Sequence, residues 1–158
     1  MRRGRTKIGL AVVVVIGIIL WLPFRESYGV GANSVPWLPR EAHNVTYIKN
    51  FWFAEAEFDI ERGALEKWCA KRKMPLQEID DEGYHSVIRC WRFLESRGVV
   101  PAVTEPNETS ERLARMARCV KVLRAGDLFY DGRWSNGGGY TIGYDTKEKR
   151  GYYSYSHH

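Results

Sequence analysis

The sequence predicts an α+β protein: an N-terminal transmembrane helix, then one domain with an antiparallel sheet and about two helices. Three observations carry this. Residues 8–22 read IGLAVVVVIGIILWL, without a charge. Residues 44–73 pass from strict apolar/polar alternation, the period of a strand, to an apolar stripe with the period of a helix. Residues 128–156 hold three short Tyr-rich runs separated by two turn-rich connectors.

The 158-residue chain has a formal charge of +5, and most of it sits at the N-terminus. Arg2, Arg3, Arg5, Lys7 and Arg25 against Glu26 account for +4, while residues 27–158 hold 19 bases against 18 acids. The excess charge flanks the apolar run and the remainder is near neutral, so no nucleic-acid partner is expected. Residues 8–24 are expected as a helix, which at a rise of about 1.5 Å per residue is about 25 Å long. That is the short limit for a hydrocarbon core of about 30 Å. Lys7 and Arg25 can extend toward the headgroups, and Trp21 suits the interface. The bases before the segment place residues 1–7 in the cytoplasm, make 8–24 a signal-anchor held by the lipid bilayer, and put the rest outside. The alternative is a secreted chain cleaved near Val30-Gly31-Ala32, a site far from Leu22 and interrupted by Arg25 and Glu26.

Residues 25–39, rich in Gly, Ser and Pro, read as an extracytoplasmic tether, and 40–158 as the α+β domain. Asn44 to Lys49 alternates as a strand. In FWFAEAEFDI, Trp52, Ala54, Ala56, Phe58 and Ile60 form a core face. Phe51, Phe53, Glu55, Glu57 and Asp59 form the opposite face, expected to be solvated. Asp59 then caps a helix from about Ile60 to Lys73, with Ile60, Ala64, Leu65, Trp68 and Cys69 buried and Pro75 as its stop. Asp80 to Gly83 is a polar turn. Residues 86–95 fit helix and strand, with a slight preference for strand. A second helix starts at Asn107 or Thr109 and yields to a strand between Arg118 and Arg124. The three Tyr-rich runs make an antiparallel meander, and both helices are expected on one face of the sheet.

No residue emerges as catalytic, cofactor-binding or metal-ligating. Gly137-Gly138-Gly139 lacks the spacing of a phosphate loop and reads as a hairpin turn. Glu55, Glu57 and Asp59 lie along one strand face, but cation sites usually draw on several elements. His85 and Cys90 are five residues apart and fall on different faces. His157-His158 is expected to fray. Three cysteines are expected to stay reduced, with a Cys69–Cys90 bridge as the alternative. Tyr130, Trp134, Tyr140, Tyr144, Tyr152, Tyr153 and Tyr155 can stack on sugar rings, though cross-strand packing accounts for most of them.

The segments VPWLPREAHNVTYIKNFWFAEAEFDI and GDLFYDGRWSNGGGYTIGYDTKEKRGYYSYS carry an LP-x-x-A-x-N start and an NGGG-x-x-x-x-YD stretch. In these the chain resembles a family of small bacterial membrane-anchored proteins with an extracytoplasmic domain. The resemblance implies an address and no chemistry. The expectation is therefore a single-pass membrane protein whose domain binds an envelope protein or glycan. The alternatives are a small envelope hydrolase using His85 with Asp80, Asp81 or Glu57, and an accessory subunit of a membrane complex.

Overall fold

The computed structural model describes residues 25–80, 85–100 and 118–157. The expected transmembrane segment, the turn at 81–83 and most of the helix expected from 107 onward lie outside the described residues. Among the described residues, no helix is long and apolar enough to cross a membrane.

The elements run β1 (Ser27–Ala32), β2 (His43–Lys49), β3 (Phe53–Asp59), α1 (Arg62–Lys71), β4 (Gln77–Glu78) and β5 (His85–Ile88), then α2 (Trp91–Ser96), β6 (Val120–Leu123), β7 (Leu128–Arg133), β8 (Gly139–Asp145) and β9 (Arg150–Ser156). Seven strands form one antiparallel sheet in the order β1-β2-β3-β9-β8-β7-β4, and β5 and β6 form a separate hairpin. Pairing of β3 with β9 joins the N-terminal strands to the C-terminal meander, in register from Phe53↔Ser156 to Asp59↔Arg150. The domain is α+β, with its sheet antiparallel throughout.

Both faces of the sheet are covered. On one, Val45, Ala56, Phe58, Ile142 and Tyr144 pack under Leu65, Trp68 and Cys69 of α1 and under Val35, Leu38 and Ala42. On the other, Ile48 and Phe53 meet Cys90 and Leu94 at α2, and Tyr152 and Phe129 meet Val87 of β5 and Leu123 of β6. The two described helices thus lie on opposite faces, while the second helix expected from the sequence, from 107 onward, lies mostly outside the described residues. β3 is buried on both sides, and the hairpin with α2 supplies the second cover.

Residues 27–39, expected as a tether, belong to the domain. β1 pairs with β2, and Val35 and Leu38 are buried. Gly29 is small for a packing reason, since a Cβ there would lie 2.8 Å from the Tyr47 ring. Trp52 is half exposed and outside the core face. Asn50 Oδ1 accepts the N–H groups of Trp52 and Phe53 at 2.8 and 2.9 Å, which makes Phe51-Trp52 the tip of the β2–β3 hairpin. Residues 86–95 are strand and then helix, because the periodicity of each is satisfied over half the segment.

Helix α1 is N-capped by Glu61 without a side-chain bond, while Asp59 pairs instead with Arg150. Its C-terminus closes with Met74 N–H donating to Cys69 O and Lys73 N–H to Ala70 O. Helix α2 closes identically, with Val99 N–H to Leu94 O and Gly98 N–H to Glu95 O. This Schellman closure favours glycine at its left-handed residue. Gly98 has φ +67°, but Lys73 occupies the same place with φ +58°. Lys73→Gly is therefore expected to stabilise the domain by about 1 kcal/mol, read from the urea midpoint.

The β5–β6 hairpin is also tied down by Lys121, whose Nζ lies 2.6 Å from Asp145 and 2.8 Å from Glu148. Burial works against the Asp145 carboxylate, but Lys121 and the Glu148 N–H outweigh it and hold the pKa below its usual 3.8. A depressed folded-state pKa stabilises above the unfolded value and is lost as pH falls through the folded one. The melting temperature should accordingly fall on acidification below about pH 4, and Asp145→Asn should flatten that part of the profile.

Candidate functional site

Alternation along β8 and β9 sends Tyr140, Tyr153 and Tyr155 to the α1 side of the sheet, with Tyr140 opposite Tyr155 and Ile142 opposite Tyr153. Trp37, from the segment between β1 and β2, lies across them, 5.5 Å from Tyr153 and edge-on to Tyr47 at 6.1 Å. Trp68 of α1 meets Tyr153 edge-on at 6.1 Å, and the Arg72 guanidinium sits 4.1 Å from the Trp68 ring centre. Trp134, from the β7–β8 turn, stands edge-on to Tyr140 and Tyr155 at 5.5 and 5.9 Å. α1 covers only part of this face, so the aromatic side chains line an open groove.

The groove has two lobes that share Trp37. One, about 370 Å³, lies between Trp68, Tyr140 and Tyr153 with Arg72 and Lys73 at its edge. The other, about 470 Å³, lies between Tyr47, Phe51 and Tyr155 with Arg25 and Lys49. Both volumes fall within the range of about 300–1,000 Å³ usual for small-ligand sites. Lys49 Nζ sits 5.3 Å over the Trp37 ring. No Asp or Glu lines either lobe, and among the described residues none of these four cations is held in an ion pair.

Burial pushes the Tyr153 hydroxyl well above its ordinary pKa, and the neighbouring Tyr140 and Tyr155 add to this, so it stays a neutral group. The buried Trp68 Nε1 has no hydrogen-bond partner among the described residues. A buried donor left in this state calls for an acceptor, and its side chain lines the groove.

The acidic face of β3 is buried, not solvated. Glu57 is fully enclosed, with Arg89 Nη2 donating to Oε2 at 2.7 Å and Arg150 Nε at 3.4 Å. Asp59 pairs with Arg150 and accepts from Asn44 Nδ2 at 2.8 Å. Burial opposes the Arg89 charge, but Glu57 outweighs it and holds the pKa above the ordinary arginine value. The cluster joins β3, β9 and the start of α2. Its geometry is that of a structural tie.

Cys90 Sγ donates to Thr46 O at 3.4 Å and contacts Glu57 Oε1 at 3.5 Å. Burial, reinforced by Glu57, pushes its thiol far above the range of a nucleophile, and burial pushes Cys69 up to about 12. No disulfide joins any of the three cysteines. Cys69 and Cys90 belong to clusters on opposite faces of the sheet, which rules out the bridge between them. His85 places its ring 4.7 Å from Phe129, and no contact among the described residues joins it to Cys90 or Glu57.

The glycine run is a turn, as its spacing suggested. Trp134 N–H donates to Gly138 O, Gly137 N–H to Trp134 O, and Gly138 N–H to Asn136 Oδ1. Two of its three N–H groups are thereby used within the turn. His157, expected to fray, is tied by its N–H to Trp52 O at 2.7 Å. Among the described residues no group of three or more His, Cys, Asp or Glu is placed to hold a metal ion. Comparison of the chain with protein families, curated proteins and solved structures finds no match.

Proposed function

We propose that the chain is a single-pass membrane protein, spanning at residues 8–24, whose extracytoplasmic domain binds an anionic glycan of the cell envelope in the Trp37 groove. The observation that carries the reading is the groove itself: aromatic faces in series, four cationic side chains and no acid in its lining. The C–H face of a pyranose is apolar and stacks on an aromatic ring while its hydroxyls stay solvated. Carboxylate or phosphate groups along the glycan meet Arg72, Lys73 and Lys49. The role is binding, since the buried thiols are neutral and Glu57 is held between two arginines.

Oligogalacturonate and its methyl ester test this, because they share rings and differ in charge. The full chain is expected to prefer the acid form, and Trp37→Ala to weaken that binding about tenfold. Trp37 is half-buried and outside the fully buried core, so the fold should survive the change. Equal binding by wild type and Trp37→Ala, or binding of neither oligosaccharide, overturns the reading. The address is tested separately: a C-terminal phosphatase reporter active only outside the cytoplasm should be active, and a silent one sinks the topology.

A further inference from the structure

The end of the sheet where the described chain begins differs from the opposite end. Ser27 pairs with Lys49, so Arg25 emerges beside the β2–β3 tip. That tip carries Phe51 and Trp52, 47% and 50% exposed, with ring centres 5.0 Å apart. Trp52 stacks on His157 at 6.3 Å, and Trp134, 39% exposed, stands edge-on to the same ring at 5.9 Å. Tyr28, 49% exposed, is next to Ser27 on β1. At the other end, the β8–β9 turn Thr146-Lys147-Glu148-Lys149 is exposed and wholly polar.

This asymmetry matters because of where the chain goes. Arg25 and Glu26 alone separate β1 from the apolar segment that ends at Phe24. Two extended residues span about 7 Å at most. Glu26 is moreover gripped by Arg97 at the end of α2, which ties the exit to the domain. With residues 25–39 folded into the sheet and its cover, nothing is left to hold the domain away from a membrane.

We propose that this end of the sheet rests on the bilayer surface, with Phe51, Trp52 and Trp134 among the lipid headgroups and Arg25 and Lys49 beside their phosphates. The proposal rests on residues 8–24 spanning the membrane. Half-exposed indole rings beside cations match the chemistry of the interface, where one edge is apolar and the other wet. A compact aromatic cluster exposed to water otherwise marks an interaction site. The Arg25–Lys49 lobe of the groove then opens at the membrane surface, and Trp134 carries the contact to the rim of the Trp68 lobe.

The full chain, reconstituted in vesicles of phosphatidylcholine and phosphatidylglycerol, tests the docking. An environment-sensitive dye is placed on Arg25→Cys, Trp52→Cys or Lys147→Cys, each in a Cys119→Ser background because Cys69 and Cys90 are buried. Spin-labelled lipid is expected to quench positions 25 and 52 several-fold more than 147. Quenching at 25 alone overturns the docking and leaves the anchor standing. A dye at 52 shielded from both lipid quencher and aqueous iodide points to a second copy covering the tip, and also overturns it. No quenching at any position overturns the anchor and the docking together.

Discussion

Glu57→Gln is expected to destabilise the domain by about 3 kcal/mol, the lower end of the loss usual when one partner of a buried ion pair is removed. The carboxylate is 0% exposed, whereas Arg89 and Arg150 are 26% and 18% exposed. Glutamine keeps the shape but removes the charge that offsets the desolvation of both guanidinium groups, and water reaches these only in part. Three elements meet at this side chain, so the loss falls on the whole fold rather than on one strand. In urea the midpoint should drop with the slope unchanged, as for a two-state domain that loses stability without a change in exposed surface. Arg89→Gln alone and in combination completes a cycle, and the double variant should lose less than the sum of the singles. A shift below about 1 kcal/mol would show that the arginines find water in place of the carboxylate.

Gly139→Ala should cost more, about 4 kcal/mol or beyond, in a domain whose total stability is expected to be about 5–15 kcal/mol. Gly139 has φ +152°, and a Cβ there would lie 2.1 Å from Gly132 O and 3.0 Å from Arg133 Cα. Both obstacles are backbone of the paired strand, where Gly139 is in register with Arg133 and Gly132 is the neighbouring residue. Neither can yield without opening the hairpin. The same turn carries Trp134 against Tyr140 and Tyr155. The variant should therefore show a lost near-ultraviolet aromatic signal as well as a lower melting temperature. Wild-type values for both would mean that the turn can be rebuilt around a methyl group.

Much of the local structure is legible in the residues. The alternation over 53–59 locates β3, the Leu65–Trp68–Cys69 stripe locates the buried side of α1, and the Tyr-rich runs locate the meander. Each rests on a period that neighbouring residues set among themselves. The departures have a common cause. Glu57 reads as solvated because no local pattern announces Arg89, 32 positions away, or Arg150, 93 away. Gly29 reads as linker because its smallness answers to Tyr47, across a strand pair.

The groove is half legible. Tyr130, Trp134, Tyr140, Tyr153 and Tyr155 stand out by density, and stacking on sugars is a chemistry they suggest. Trp37 is hidden inside an apparent tether, although a tryptophan between Pro36 and Pro39 is an odd choice for a segment with nothing to pack against. Arg72 and Lys73 read as cations suited to a helix C-terminus, and only the fold shows Lys73 in a left-handed position that α2 fills with glycine.

By itself, then, the sequence determined the α+β class, the places of β2, β3, α1 and the meander strands, and the concentration of charge around residues 8–24, because periodicity and charge order are properties of contiguous residues. The tertiary structure alone decided that β3 is buried on both sides, that the two described helices take opposite faces, and that Trp37 completes an aromatic groove with four cations. Those outcomes depend on which strands pair. The β3–β9 register brings residues about ninety positions apart into contact, a separation over which the chain carries no local signal.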